Sequence, residues 1–548
     1  MATSPAPRLD ARALAAQQRS IAVSEFFLKN RHLLGFDSPQ RALLTAVKEA
    51  VDNALDACEE AGRLPEVWVE IDRVSRDVYR VAVEDDGPGI VEAQIARIFG
   101  KLLYGSKFHR LAQSRGQQGM GISAAGMYGQ LTTGKPMRIV SRTGRRRPAR
   151  ELAISIDTAK NRPDIHAKRT LDDWHRPHGT RVEIELEATY QQGQHSVPLY
   201  LKLTAVANPH VTLHLRDPDG REVTWKRSVR KRPPRPARIR PHPHGVELGR
   251  LIAMLKASEA VHLGDFLQRE FSQVGRTRAA QIIERADARL TPRSYCRRIA
   301  HRKAAALHRA IAETPIAAPP SRCVVPIGEA GIREGLAHEL PARFYAVTTR
   351  KPAVYRGNPF VVEVGLAWGR REAPHVEVDE NGHLREVDGE GPPRGAREPA
   401  RLIRFANRVP LLYQQSHCAI TKAVLDTSWR RYGLEQPAGA MPLGPLTLLV
   451  HVASVWVPFT SESKEALAAY PEIVREIGLG LRECGRKLAR HLRHVRRLER
   501  ELARRSEIER YVPHVAGALG EILHLSKARR SRLTARLDDL VEESRSVP

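Results

Sequence analysis

Apolar residues recur at spacings of three and four through Leu43, Val47, Val51, Ala54 and Leu55. Residues 21–60 therefore read as helical, with Pro39 placed where a helix can begin. The pattern then changes to alternation. Val67 to Asp72 and Val78 to Val83 read as two strands joined by a short turn, and Arg138 to Arg142, Ala153 to Asp157 and Arg181 to Glu185 add further strand-like runs. Together they predict an α/β unit to about residue 225 with an antiparallel or mixed sheet. Residues 226–240 hold eight Lys/Arg, three Pro and no acid, which reads as an extended basic linker. Residues 244–310 look all-helical, with Leu248, Leu251, Ile252 and Leu255 on one face. Strands return over 320–460, at Phe344 to Thr348, Phe360 to Val364 and Leu446 to Val455. Residues 371–398, rich in Gly, Pro and Glu, read as an exposed loop or hairpin. From Pro471 a long helix is expected, striped by Ile477, Leu481, Cys484, Leu488, Leu492, Val495, Leu498 and Leu502. The class is α+β, in three folded blocks behind an Ala-rich arm at residues 1–20.

Composition narrows the setting. The 548 residues carry 89 Lys+Arg against 62 Asp+Glu, a net charge of +27, at a hydrophobic fraction of 42% that fits a folded chain and not a disordered one. The longest apolar runs fall short of the ~18–20 residues a membrane span needs. The first twenty residues lack the apolar core of a secretory signal. Five scattered cysteines without a CxxC pair exclude a disulfide scaffold or a Cys-rich zinc site and fit a reducing cytoplasm. The positive surplus points to a polyanion such as nucleic acid, or reflects a codon bias toward Arg.

Three motifs carry candidate chemistry. Glu49 and Asn53 lie one helical turn apart on the first amphipathic helix, so a carboxylate and an amide share a face. They could activate water and ligate magnesium, or be solvated helix surface. Asp85-Asp86-Gly87-Pro88-Gly89 follows a strand directly. Its first carboxylate could accept a hydrogen bond from an adenine amino group, or the segment could be a plain Asp-Gly turn. Arg115-Gly116-Gln117-Gln118-Gly119-Met120-Gly121-Ile122-Ser123 opens a helix. Backbone N–H groups there could cradle phosphate, with Ser106 and Lys107 just upstream, or the segment could be a flexible surface loop. Gly129 to Pro136 (GQLTTGKP) nearly matches a phosphate-loop pattern. Its final Pro136 lacks the hydroxyl that would hold magnesium, so that reading is rejected.

The order E-x-x-x-N, D-x-G-x-G, Gly-rich loop resembles the GHKL ATPase superfamily, and His178-Gly179-Thr180 resembles its late Gly-Thr element. The stretches Ile98 to Pro136, Phe26-Phe27 with Asn30 to Phe36, Val354 to Phe360 and Arg404 to Tyr413 resemble one family within it, the DNA topoisomerase VI B subunits, over roughly residues 20–520. The resemblance implies a Bergerat-fold ATPase at 21–228, a basic linker and helix–two-turn–helix domain at 229–312, a transducer at 313–512 and a tail at 513–548. It implies that Glu49 is the general base, that Asn53 holds Mg²⁺, that Asp85 reads adenine, and that Gly87, Gly89, Ser106, Lys107, residues 116–123 and Thr180 bind ATP. A transducer lysine would reach the γ-phosphate. Lys464 is the candidate, with Arg430 of Trp429-Arg430-Arg431-Tyr432 as a competing position. Asp86 departs from relatives that carry Asn and would weaken ATP binding unless it faces solvent.

The family also implies double-stranded DNA as substrate, ATP-driven self-dimerisation, and an A subunit that cleaves DNA in an A2B2 heterotetramer. The expected helix ends near residue 510, with its C-terminal half or the tail beyond Ile508 offered to that partner. A catalytically silent adaptor, or a GHKL ATPase of the mismatch-repair or chaperone type, are the competing readings. The helical block between ATPase and transducer argues against the latter.

Overall fold

The computed structural model describes residues 15, 21, 25–26, 29–107, 111–116, 119–286, 288–370, 375–378, 384–387, 398–461 and 463–543. Most of the expected arm, Phe27, Gln117, Gln118 and much of the 371–398 segment lie outside them.

The helical stretch anticipated over 21–60 is interrupted. A short 3-10 turn at Arg31–Leu34 stops at Gly35, whose φ of 79° is left-handed, and α1 starts afresh at Pro39–Glu60. The start is locally encoded. The Ser38 hydroxyl accepts from Arg41 N, and Pro39 takes a first-turn position where its missing N–H costs nothing. The apolar stripe of α1 is fully buried and Glu49, Asp52 and Asp56 are buried with it, so one helix supplies both core and carboxylates.

The first sheet contains β1 (Glu66–Arg73), β2 (Val78–Asp85), β3 (Met137–Arg142), β4 (Ala149–Asp157), β5 (Arg162–Leu171), β6 (Gly179–Glu187), β7 (Thr212–Arg216) and β8 (Glu222–Trp225). Its order is β5-β4-β3-β6-β2-β1-β7-β8, mixed because β1 pairs parallel to β7 while the other neighbours are antiparallel. α1, α2 (Glu92–Gly100), α3 (Gly121–Thr133) and α4 (Val197–Ala207) contribute to a single apolar core with this sheet. Strand β5 escaped the pattern reading because it is an edge strand, RPDIHAKRTL, with little apolar alternation to display.

The basic segment 226–240 is extended as expected, yet it is not a free tether. Arg227 donates to Thr212 and to the Pro65 carbonyl, the Arg232 guanidinium to the Gly62 carbonyl, and Ala237 N to the Arg322 carbonyl. Four helices follow, α5 (Leu248–Ala257), α6 (Leu263–Glu270), α7 (Arg276–Ala286) and α8 (His301–Glu313), around their own core centred on Phe266, Leu267 and Phe271.

The last block begins with α9 (Glu329–Glu339). Its strands are β9 (Ala342–Thr349), β10 (Ala353–Tyr355), β11 (Asn358–Arg370), β14 (Arg401–Ala406), β15 (Val409–Pro410) and β16 (Leu446–Ser454), in the order β10-β11-β16-β14-β15 with β9 also on β11. A separate hairpin, β12 (His375–Val378) with β13 (Leu384–Val387), occupies part of the segment read as loop or hairpin. α10 (Ala419–Leu425) and the long helix α11 (Pro471–Ile522) cover one face of the sheet, with the stripe from Ile477 to Leu492 in the shared core. On the other face α4 of the first block packs Leu203, Val206 and Ala207 against Ile332, Leu336, Val347 and Phe405, so an apolar core joins the two blocks. The long helix does not end near 510. It continues through Pro513 to Ile522, and α12 (Lys527–Glu543) folds after it. A boundary at 512 therefore cuts a continuous helix. No helix among the described residues is long and apolar enough to cross a membrane.

Candidate functional site

A cavity of about 600 Å³ opens between α1, the end of β2, the start of α3 and a loop after β16. It collects Glu49, Asn53, Asp85, Gly89, Ser106, Lys107, Gly116, Gly119, Met120, Gly121, Ile122, Thr180 and Lys464, which lie as far apart in sequence as the two sheets. Two expected residues do not line it. Ser123 is buried with its hydroxyl donated to the Ile98 carbonyl at 3.1 Å, so it ties α3 to α2. Gly87 lies behind the wall, where its N–H donates to Asp85 Oδ1 at 2.8 Å.

Asp85 ends β2 with its carboxylate buried. It accepts from Gly87 N and, at 3.3 Å, from Thr180 N. Burial pushes its pKa up to about 7, against the pull of those two backbone donors. The glycines around it are sterically required. A Cβ on Gly89 (φ +69°) would stand 2.0 Å from the Arg142 carbonyl oxygen, and one on Gly179 (φ +128°) would stand 2.0 Å from that of Asp85. Asp86 turns neither to the cavity nor freely to water: its Oδ1 accepts from Glu66 N at 3.0 Å and from the Cys58 thiol. The extra acid thus caps the start of β1 and does not line the cavity, although its charge adds to the upward pull on Asp85.

The Glu49 carboxylate projects from α1 to the N-terminus of α3. A Cβ on Gly121 would fall 1.8 Å from Glu49 Oε2, so only glycine lets the carboxylate approach this backbone. Lys464, carried by the last block, reaches across to place Nζ 3.3 Å from Glu49 Oε1 and 3.7 Å from Asp52 Oδ2. All three side chains are nearly fully buried. Burial alone would lower the Lys464 pKa, but Glu49 and Asp52 more than offset it and hold the ammonium above its ordinary value. Burial raises Asp52, which also accepts from the Tyr200 hydroxyl at 3.0 Å. Arg430 is elsewhere. Its guanidinium donates to the Gln436 carbonyl and lines a basic groove with Arg486, Arg490, Arg493 and Arg496 on α11.

One turn beyond Asn53, Asp56 accepts from Lys107 at 2.5 Å and from Arg115 at 2.9 Å. These cations hold its pKa down although burial would raise it. Arg115 also pairs with Glu59 at 2.7 Å. Sequence reading missed Asp52, Asp56 and Glu59, whose only signal was acidic residues on an otherwise apolar helix face, and gave Arg115, the first residue of the Gly-rich stretch, no role of its own. Among the described residues no hydrogen bond engages the Asn53 amide, which borders the cavity beside Gly116.

Two family models match the chain. Residues 38–190 match "Histidine kinase-, DNA gyrase B-, and HSP90-like ATPase", and residues 319–504 match "Topoisomerase VI B subunit, transducer". The chain is 46% identical to the B subunit of type 2 DNA topoisomerase 6 from Methanosarcina barkeri, over 93% of this chain and 78% of that one. The namesake from Archaeoglobus fulgidus is 42% identical over 97% and 84%. The chain belongs to the topoisomerase VI B-subunit family. That family supplies the ATP-driven component of type IIB DNA topoisomerases, and the chain carries its GHKL ATPase and its transducer. The gyrase B protein of Myxococcus xanthus overlays only loosely, at a TM-score of 0.40 and 13% identity over 85% of this chain and 95% of that one, and adds nothing to the assignment. Lys464 comes from the segment matched as transducer and Glu49 from that matched as ATPase.

Proposed function

We propose that this chain binds ATP in the cavity above, hydrolyses it with Glu49 and Lys464, and uses the cycle to gate passage of one DNA duplex through another cut by a partner A subunit. The observation that carries this is Lys464 Nζ at 3.3 Å from Glu49 Oε1, because it joins the two matched segments at the reacting end of the cavity. The working division is an ATPase at 21–228, a linker with helix–two-turn–helix domain at 229–312, and a transducer from 313 that includes α11 to Ile522.

In this reading Asp85 accepts a hydrogen bond from the adenine amino group. Gly116, Gly119 and the N-terminus of α3 face the phosphates, where first-turn N–H groups and the helix dipole favour negative charge. Lys107 and Lys464 add positive charge, and Glu49 takes a proton from the attacking water. The Asn53 amide oxygen, without a hydrogen-bond partner among the described residues, suits a hard cation. Mg²⁺ held there would offset phosphate charge. Lys464 enters as a cation already charged and buried, exchanges carboxylate for γ-phosphate when ATP binds, and is then in place before transition-state charge develops.

Nucleotide-driven dimerisation of two ATPase units, assembly as A2B2 and a cytoplasmic site of action belong to the same proposal. The exposed Arg230, Lys231 and Arg232, and the arginine groove of α11, are offered to duplex phosphates without base reading. The test is Glu49→Ala in the reconstituted complex. Hydrolysis and supercoil relaxation should be lost while nucleotide affinity stays within about threefold. Relaxation that survives overturns the mechanism, and an unaltered chain that binds but never hydrolyses ATP would favour the silent adaptor.

A further inference from the structure

The phosphate-facing loop has a second connection to the transducer, remote from Lys464. Strands β14 and β15 are joined by the two-residue turn Asn407-Arg408, with φ values of 47° and 67°. Such a double left-handed turn suits the twist of a hairpin, but it is costly at Arg, a residue that rarely adopts it. Both residues are buried, at 3% and 7% exposure, which is unusual for a hairpin tip. The tip is buried because it enters the base of the loop. Asn407 Nδ2 donates to the Ser114 carbonyl at 3.0 Å and to the Ser454 carbonyl at 2.9 Å, while its Oδ1 accepts from Ser454 N. The Arg408 carbonyl accepts from Asn208 Nδ2, and Asn208 Oδ1 accepts from Arg115 at 2.6 Å. From Arg115 the path runs through Asp56, which also receives Gly116 N and Lys107. Arg408 N donates to His451, itself held by the buried Glu363, so the tip is fixed on the transducer side as well.

We propose that Asn407 and Arg408 are positioning residues that set the register of the phosphate-facing loop, so that the transducer controls ATP binding through Ser114, Arg115 and Gly116 separately from its control of hydrolysis through Lys464. Lys464 meets the reacting end of the cavity. Neither turn residue lines the cavity; both act on the loop's base. The two contacts therefore divide the work between chemistry and loop closure. The inference rests on the ATP reading above.

The test uses the full chain with its cleavage partner. Asn407→Gly removes the amide while keeping a residue at ease with positive φ. Losing one buried hydrogen bond to the loop should raise KM for ATP roughly five- to tenfold with kcat within about twofold. A merely structural turn would lower the melting temperature and leave KM unchanged, which overturns the inference. If the glycine variant fails to fold, Asn407→Asp keeps the acceptor for Ser454 N, loses the donations to the Ser114 and Ser454 carbonyls and must show the same KM rise; an unchanged KM overturns the inference equally. In the unaltered complex a non-hydrolysable ATP analogue should slow amide exchange over 111–116 and over 406–409 together. Protection at 111–116 alone refutes the coupling, and protection at neither refutes the ATP reading itself.

Discussion

Replacing Lys464 tests two properties at once, because its amine and its backbone are both unusual. The ammonium stands 3.3 Å from Glu49 Oε1 and 3.7 Å from Asp52 Oδ2, and the residue has a φ of +54°. At an effective dielectric of ~20 the Glu49 attraction alone is about 5 kcal/mol, opposed by the desolvation of both ions. Removing one partner of such a pair leaves two buried carboxylates side by side, for which a net cost of roughly 3–5 kcal/mol is expected. Lys464→Ala should lose that stability and retain the left-handed strain. Lys464→Gly relieves the strain, worth about 1–2 kcal/mol, and should be the more stable variant by that margin. Hydrolysis should not follow the same order. If the amine stabilises the transition state, both variants lose about 10²–10³ in kcat with little change in KM. The assays are thermal or denaturant unfolding of the chain and steady-state ATPase of the complex. Recovery of kcat in the glycine variant would show that loop geometry, not the ammonium, matters. A kcat within about threefold of wild type in both variants would remove Lys464 from the reaction.

Two further substitutions probe the cavity walls. Gly121→Ala places a methyl 1.8 Å from Glu49 Oε2, so the carboxylate must shift by more than about 1 Å, and kcat should fall on the order of 10²-fold. Gly126→Ala is its control: its Cβ meets the flexible end of Met137, so kcat should be kept whatever the change in stability, and equal loss in both would refute the positional argument. For Asp85, a folded pKa near 7 lies above the unfolded value of 3.8, so the native state binds the extra proton. Stability of the empty chain should therefore decline as pH rises from about 4 to 7 and then level off. Adenine recognition needs the ionised form, so nucleotide affinity should rise about tenfold between pH 6 and 8. Asp85→Asn should bind more weakly and lose its share of that slope; an identical slope in the variant would clear Asp85 of the role.

What could be read from the sequence depended on how local each cause is. The start of α1 was legible because Pro39 and the stripe from Leu43 act within one another's reach, while the Ser38 cap emerged only in the structure. The glycines of 116–121, which at Gly119 and Gly121 meet a real need, a left-handed φ and the close approach of Glu49, were legible as a loop. The chain's break at Gly35 was not, since a single left-handed residue leaves no periodic trace. Strand β5 was invisible because an edge strand needs no apolar face. The partners of Glu49 were the least legible, since Lys464 lies 415 residues away. Only the resemblance singled out Lys464, with Arg430 as a competing position, and the geometry puts the first in the cavity and the second on the groove beside α11. The same limit hid Asn407 and Arg408. The stretch Arg404 to Tyr413 carried the resemblance, but nothing in it marked this turn, and hairpin tips are exposed as a rule. Its burial arises only because the first block supplies Ser114 and Asn208 to receive it. Residues that join two domains satisfy constraints written in both, so neither local pattern can announce them. This is where the mechanism of coupling should be sought.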